Sequence, residues 1–183
     1  MPPPTPLSAV RRFVRRFSRN RRGSAAVEFA LVAPMFFALI FAILETALVF
    51  FASQTLEVGT QDTARLLLTN QAEGTMSQQQ FLANLCANVT PLLSCANLYV
   101  DVKTYSSFSA IPAADLALPI DGSGNLINNF TYPTPNPGDT VVVRAYYEWP
   151  IIVTKLFGFN LSNMTGNLML LNATAAFRVE PGT

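Results

Sequence analysis

From Ser24 to Ala52 the chain is apolar apart from Glu28, Glu45 and small hydroxyl residues, and from Phe29 to Leu44 it carries no charge at all. A helix over those residues would be roughly 43 Å long at 1.5 Å per residue, against a hydrocarbon core of roughly 30 Å. The stretch therefore predicts a membrane-spanning helix. Pro34 inside it removes one backbone hydrogen bond and predicts a local bend, which membrane helices tolerate. Beyond Ala52 the pattern becomes mixed, with Leu56, Thr60, Thr63 and Leu67 recurring at helical spacing among polar residues. That spacing predicts an amphipathic stem continuing the same helix to about Thr69.

A break containing Gly74 follows, and Ser77 with Gln80 three residues on fits a capping box. A second helix is expected from about Ser77 to Leu93, with Phe81, Leu82, Leu85, Cys86, Val89, Leu92 and Leu93 on its apolar face. The period then changes to two. Leu98, Val100, Val102 and Thr104 alternate with Tyr99, Asp101 and Lys103, which reads as a half-buried strand. Five prolines keep residues 106–138 irregular. Thr140 to Trp149, rich in β-branched and aromatic residues, is the strongest strand, and Leu168 to Val179 is a third strand to pair with it. The fold class is thus α+β: a long N-terminal transmembrane helix, an amphipathic stem, and a small head with a second helix and an antiparallel sheet of about three strands. The domain boundaries expected are a leader at 1–23, the transmembrane helix at 24–52, the stem at 53–69 and the head at 70–183.

Charge sets the orientation of this plan. Arg11, Arg12, Arg15, Arg16, Arg19, Arg21 and Arg22 are seven of the twelve basic residues, and all eleven acidic residues follow them. By the positive-inside rule this leader stays in the cytoplasm and the head lies outside. A cleaved secretory signal has the same order of charge and apolarity, but its apolar core is about 7–15 residues and ends at small residues. Here the run is longer and ends in Val49-Phe50-Phe51, so the helix is read as retained. Cys86 and Cys95, both in the exported half, are then candidates for a disulfide; two buried free thiols are the alternative.

The chain contains no histidine, the commonest general base and metal ligand. No glycine-flanked nucleophile, paired-acid motif, phosphate loop or metal cluster stands out, so neither an enzyme nor a cofactor is expected. Asp121-Gly122-Ser123-Gly124-Asn125 starts like a calcium loop, but Leu126 replaces the required glycine and Tyr132 the bidentate glutamate, so a plain turn is expected. Topology already accounts for the arginines, so nucleic acid is not an expected partner. Tyr146, Tyr147 and Trp149 are read as sheet packing rather than a ligand surface.

The most specific feature is Arg21-Arg22-Gly23-Ser24-Ala25-Ala26-Val27-Glu28-Phe29, where the basic tail meets the apolar helix. It resembles the processing site of type IV pilins, which a membrane-embedded peptidase cuts after the glycine, leaving a glutamate at the fifth mature position. Glu28 is the fifth residue counted from Ser24. Independently of the family, a carboxylate one turn inside an apolar stretch is costly without a partner. Cleavage would create a cationic α-amino group on Ser24, about 6 Å along the helix from Glu28. Glu45, about 25 Å further on, is expected at the far interface, solvated there rather than functional.

More narrowly, residues 21–34, then Phe41 to Thr46, and weakly Ala175 to Pro181, resemble the TadE-like proteins of the tight-adherence (Flp) pilus system. The resemblance implies a minor pseudopilin of the bacterial cytoplasmic membrane, needed for pilus assembly and surface adherence. It also implies contact with a prepilin peptidase, other pilin or pseudopilin subunits and the assembly platform, besides the lipid bilayer. A head of this size would clash if repeated at every position of a slim filament, which favours a minor subunit over the bulk polymer. A second reading stays open, in which the chain is an uncleaved, membrane-anchored binding module whose activity lies in the head.

Overall fold

The computed structural model describes residues 23–68, 76–90, 92–153 and 161–179. The seven leader arginines lie outside these residues, as does the end of the expected stem. The chain divides into two units, residues 1–42 and 43–183. One helix, α1 (Ser24–Leu68), runs through the boundary, and Pro34 lies inside it without ending it.

In the first unit the described part of α1 presents Val27, Phe29, Leu31, Val32, Met35, Phe36, Phe37, Leu39 and Phe41 at its surface. A helix that is apolar all round is stable only inside a protein core or a membrane, and from Ala25 to Ala42 only Ala38 is buried within the molecule. Phe37 meets the rings of Phe36 and Phe41 along the helix, leaving a continuous aromatic surface.

The second unit is built on the remaining turns of α1, which present one face to a protein core. Val49, Ala52, Leu56, Thr60, Thr63, Ala64 and Leu67 are buried, confirming the 3.6-residue spacing of Leu56, Thr60, Thr63 and Leu67. Thr60 and Thr63 donate their hydroxyls to the carbonyls of Leu56 and Gly59 one turn back, so they cross the apolar face without an unmet polar group. The second helix, α2 (Gln78–Val89), starts at the expected capping box: Gln80 N–H donates to the Ser77 hydroxyl and Ser77 N–H to the Gln80 side chain. It buries Phe81, Leu85 and Val89. It ends at Val89 rather than Leu93, because Thr90 precedes Pro91 and adopts the extended conformation that proline imposes on the residue before it. Leu92 consequently leaves the apolar face and is exposed, while Leu93 is buried. Cys86 and Cys95 form a disulfide across this break, with Cα atoms 5.6 Å apart. Closing so short a loop contributes about 2–3 kcal/mol in the chain-entropy account.

Three antiparallel strands follow: β1 (Leu98–Tyr105), β2 (Thr140–Pro150) and β3 (Leu168–Arg178), in the order β1-β2-β3. Their register sets Val100 opposite Ala145 and Ala145 opposite Ala173. One face, carrying Leu98, Val100, Val102, Val141, Val143, Ala145, Tyr147, Leu171 and Ala173, shares a single core with α1 and α2. The other face is not open to water as the alternation in β1 predicts. Tyr146 and Leu170 pack there with Tyr99, Ile120, Leu126, Phe130 and Met164, and the Phe130 and Tyr146 rings stack 5.2 Å apart. Covered on both sides, β2 is buried from Thr140 to Tyr147, which explains why apolar residues occupy both of its faces around Arg144. Tyr146 and Tyr147 are core residues, and Trp149 packs partly buried against the helix-side core. Asp121 accepts amide hydrogens from Ser123 and Asn125, which makes the loop there a side-chain-stabilised turn.

Gly59 sets how closely α1 and α2 approach. A Cβ there would lie 2.6 Å from Val89 Cγ1 and 3.4 Å from Leu85 Cδ1. Beside it, Asn88 donates to the Thr63 hydroxyl at 3.2 Å, bridging the two helices. Gly59→Ala is expected to force the helices apart and lower stability by about 1–3 kcal/mol, the usual cost of overpacking, despite alanine's better helix propensity. Denaturant unfolding of the full chain in detergent checks this, and unchanged or increased stability would refute the close-packing account.

Candidate functional site

Two places in the chain combine charge with an apolar setting. At the first, Gly23 is exposed and immediately precedes Ser24, the first residue of α1. Glu28 stands one turn in, on the exposed surface between Val27 and Phe29. The basic side of this segment, Arg11 to Arg22, lies outside the described residues.

The second place involves Glu45. Glu45 is not solvated: it is 7% exposed, and its Oε1 accepts backbone N–H from Ile152 at 2.6 Å and from Val153 at 2.9 Å. Ile151, buried beside them, donates its own N–H to the Asn167 carbonyl, so the chain leaving β2 is fixed from both sides. A carboxylate held by two amides is a charge-assisted arrangement, stronger than neutral hydrogen bonds. It resolves a double difficulty, since both the acid of an apolar helix and the amides past a strand end need partners away from water. Sequence reasoning placed Glu45 near the interface but missed this contact, whose partners lie over 100 positions away.

A third polar group holds the 106–138 segment over the sheet. Arg144, buried in β2 opposite Asp101, donates to the carbonyls of Asp115 and Leu116 and lies 5.0 Å from the Tyr146 ring. Asp115 accepts from Lys103 at 2.6 Å and from the Tyr105 hydroxyl at 2.7 Å. Asp101 accepts both the amide and the hydroxyl of Thr131, whose carbonyl in turn pairs with Val102 N–H. These bonds hold Asp115 below the ordinary carboxylate range, chiefly through Lys103 and then Tyr105. Burial, then the bond to Asp115, pushes Tyr105 up to about 12. Among the described residues no three His, Cys, Asp or Glu side chains gather as metal ligands.

The geometry defines a class: an α+β unit carried on one N-terminal helix that is long and apolar enough to anchor it in a membrane. Residues 23–65 match the family model of the TadE-like proteins. The match opens on Gly23 and covers Glu28, Glu45 and Gly59. No curated protein and no solved structure matches the chain.

Two outcomes follow from this chemistry. Glu45→Ala, which strands the amides of Ile152 and Val153, is expected to speed their hydrogen exchange roughly tenfold, whereas Glu45→Gln, which keeps an acceptor oxygen, is expected to change it much less. Equal exchange in wild type and Glu45→Ala would refute the link. At high pH the buried phenols matter: burial also pushes Tyr132 and Tyr146 up to about 12. A raised phenol favours the folded state while protonated, so that stability is complete below about pH 10, the ordinary tyrosine value, and is lost as pH rises through about 12. Phenolate absorbance and denaturant midpoints followed from pH 9 to 12.5 are expected to change together, and early titration with full stability retained would contradict it.

Proposed function

We propose that this chain is a minor pseudopilin of a tight-adherence (Flp) pilus system, processed between Gly23 and Ser24 by a prepilin peptidase and needed for pilus assembly and adherence. The observation that carries the reading is the TadE-like match beginning on Gly23 and running along α1. In this reading the chain sits in the bacterial cytoplasmic membrane with its arginine leader inside and its α+β head outside. The Cys86–Cys95 disulfide supports an oxidising location for the head.

The mechanism rests on charge in an apolar setting. Removing the leader takes away seven arginines and creates a new cation, the α-amino group of Ser24, about one helical turn from Glu28. That glutamate pairs with the new terminus of its own or a neighbouring subunit, because an unpaired charge at that depth costs several kcal/mol. Pairing between neighbours sets helices side by side, as a filament core or its initiating complex requires. The exposed apolar surface of α1 supplies the packing, and the size of the head limits the subunit to sparse positions. Its partners are then the bilayer, the peptidase, other pilin or pseudopilin subunits and the inner-membrane assembly platform.

Intact-mass analysis of the protein from native membranes is expected to give a mature chain starting at Ser24. Glu28→Gln is expected to insert normally, yet fail to support piliation when surface pili are counted. A wild-type chain retaining its arginine leader sinks the processed-pseudopilin reading and leaves an uncleaved anchored module.

A further inference from the structure

The Glu45 link has a geometric consequence for the lipid surface. Along α1, Glu45, Val49 and Ala52 are buried in the α+β unit, while on the same turns Leu44, Leu48 and Phe51 recur at the surface together with Ile43 and Phe50. Phe50 and Phe51 are 64% and 62% exposed, and no charged residue occurs between Glu45 and Glu57. Those turns are thus flanked by protein on one side and present a hydrocarbon-compatible surface on the other. Glu45 lies six residues before Phe51, about 9 Å along the helix. A span that ends at Phe51 and reaches back to the turn carrying Glu28 has about 24 residues, within the length a tilted helix needs to cross a bilayer. Ending it at Glu45 instead would strand Phe50 and Phe51 in water.

We infer that the exposed side chains of Pro150 and Ile152, at and just beyond the end of β2, are seated in the acyl edge of the leaflet on the head's side, with Ile152 held there by its bond to Glu45. Ile152 carries the point: its amide is bonded to the Glu45 carboxylate, yet its side chain is 66% exposed. Pro150, two residues earlier, is also exposed and has no amide hydrogen to leave unpaired. The occupant is lipid because the exposed Ile152 side chain stands at the Glu45 level of a helix whose neighbouring exposed residues are the lipid-facing turns themselves. The contact continues the membrane surface of α1 onto the α+β unit. It makes the head a partly inserted body rather than one held clear on a stalk.

This inference rests on the reading of α1 as a membrane span, and the test separates the two. The full chain has a single tryptophan, Trp149. In a Trp149→Phe background, single-tryptophan chains carrying Leu39→Trp, Ile152→Trp or Ser123→Trp are reconstituted in phosphatidylcholine–phosphatidylglycerol nanodiscs. Quenching by lipids brominated near the glycerol end of the acyl chain is compared with quenching by aqueous iodide. Position 152 is expected to lose emission to brominated lipid and resist iodide, with a blue-shifted maximum, while position 123, on the turn over the opposite sheet face, behaves in reverse. Lipid quenching at 39 with iodide quenching at 152 overturns the inference and leaves the span intact. Absence of lipid quenching at 39 as well sinks the span itself. Shielding of 152 from both quenchers also overturns it, in favour of a protein neighbour on that surface. Denaturant midpoints matched to the Trp149→Phe parent confirm that each variant is folded.

Discussion

The α+β unit has no core without the outer turns of α1. Val49, Ala52, Leu56, Thr60, Thr63 and Leu67 form the layer on which α2 and the sheet close, and Gly59 brings α2 close enough to exclude water. A single helix therefore has to satisfy two solvents in succession. Toward its N-terminus it is apolar on every side, and toward its C-terminus on one side only. The turns from Ile43 to Ala52 combine both conditions, and a charge survives there only with internal partners.

Glu45 meets that requirement with the amides of Ile152 and Val153. The bond joins the membrane-proximal end of the unit to the helix, while the α1–α2 seam joins it further along. Between them the disulfide and the Tyr147 hydroxyl, which accepts the Ser94 amide, hold the connection into β1. On the far side of the sheet the Arg144, Asp115 and Asp101 interactions fasten a segment that five prolines keep from forming regular structure. Buried charges there take carbonyls, amides and hydroxyls as partners, because each left alone would cost far more than its bonds return.

This division of labour suits the proposed pseudopilin role. In that proposed role the apolar turns and Glu28 are the surface offered to neighbouring subunits, while the Glu45 bonds and the α1–α2 seam keep the α+β unit on the helix. The family resemblance reaches only as far as the helix, residues 23–65. The head's role follows from its own packing, and its lower end brings it to the lipid surface.

The helices and strands were legible in the sequence because their signals are local: a charge-free run, the Ser77 and Gln80 cap, and alternation in Leu98 to Thr104. The segment that opens the TadE-like match at Gly23 was legible for the same reason, as contiguous residues at fixed spacing. The end of α2 was misjudged because the apolar face continues to Leu93 although Pro91 ends the helix. The exposed side of β1 was misjudged because Asp101 reads as solvent-facing until the Thr131 amide is brought to it. Only the tertiary structure decided the partners of Glu45 and the closeness of Gly59 to Val89. Both are contacts between distant segments, set by how whole surfaces pack, and no periodicity along the chain records them.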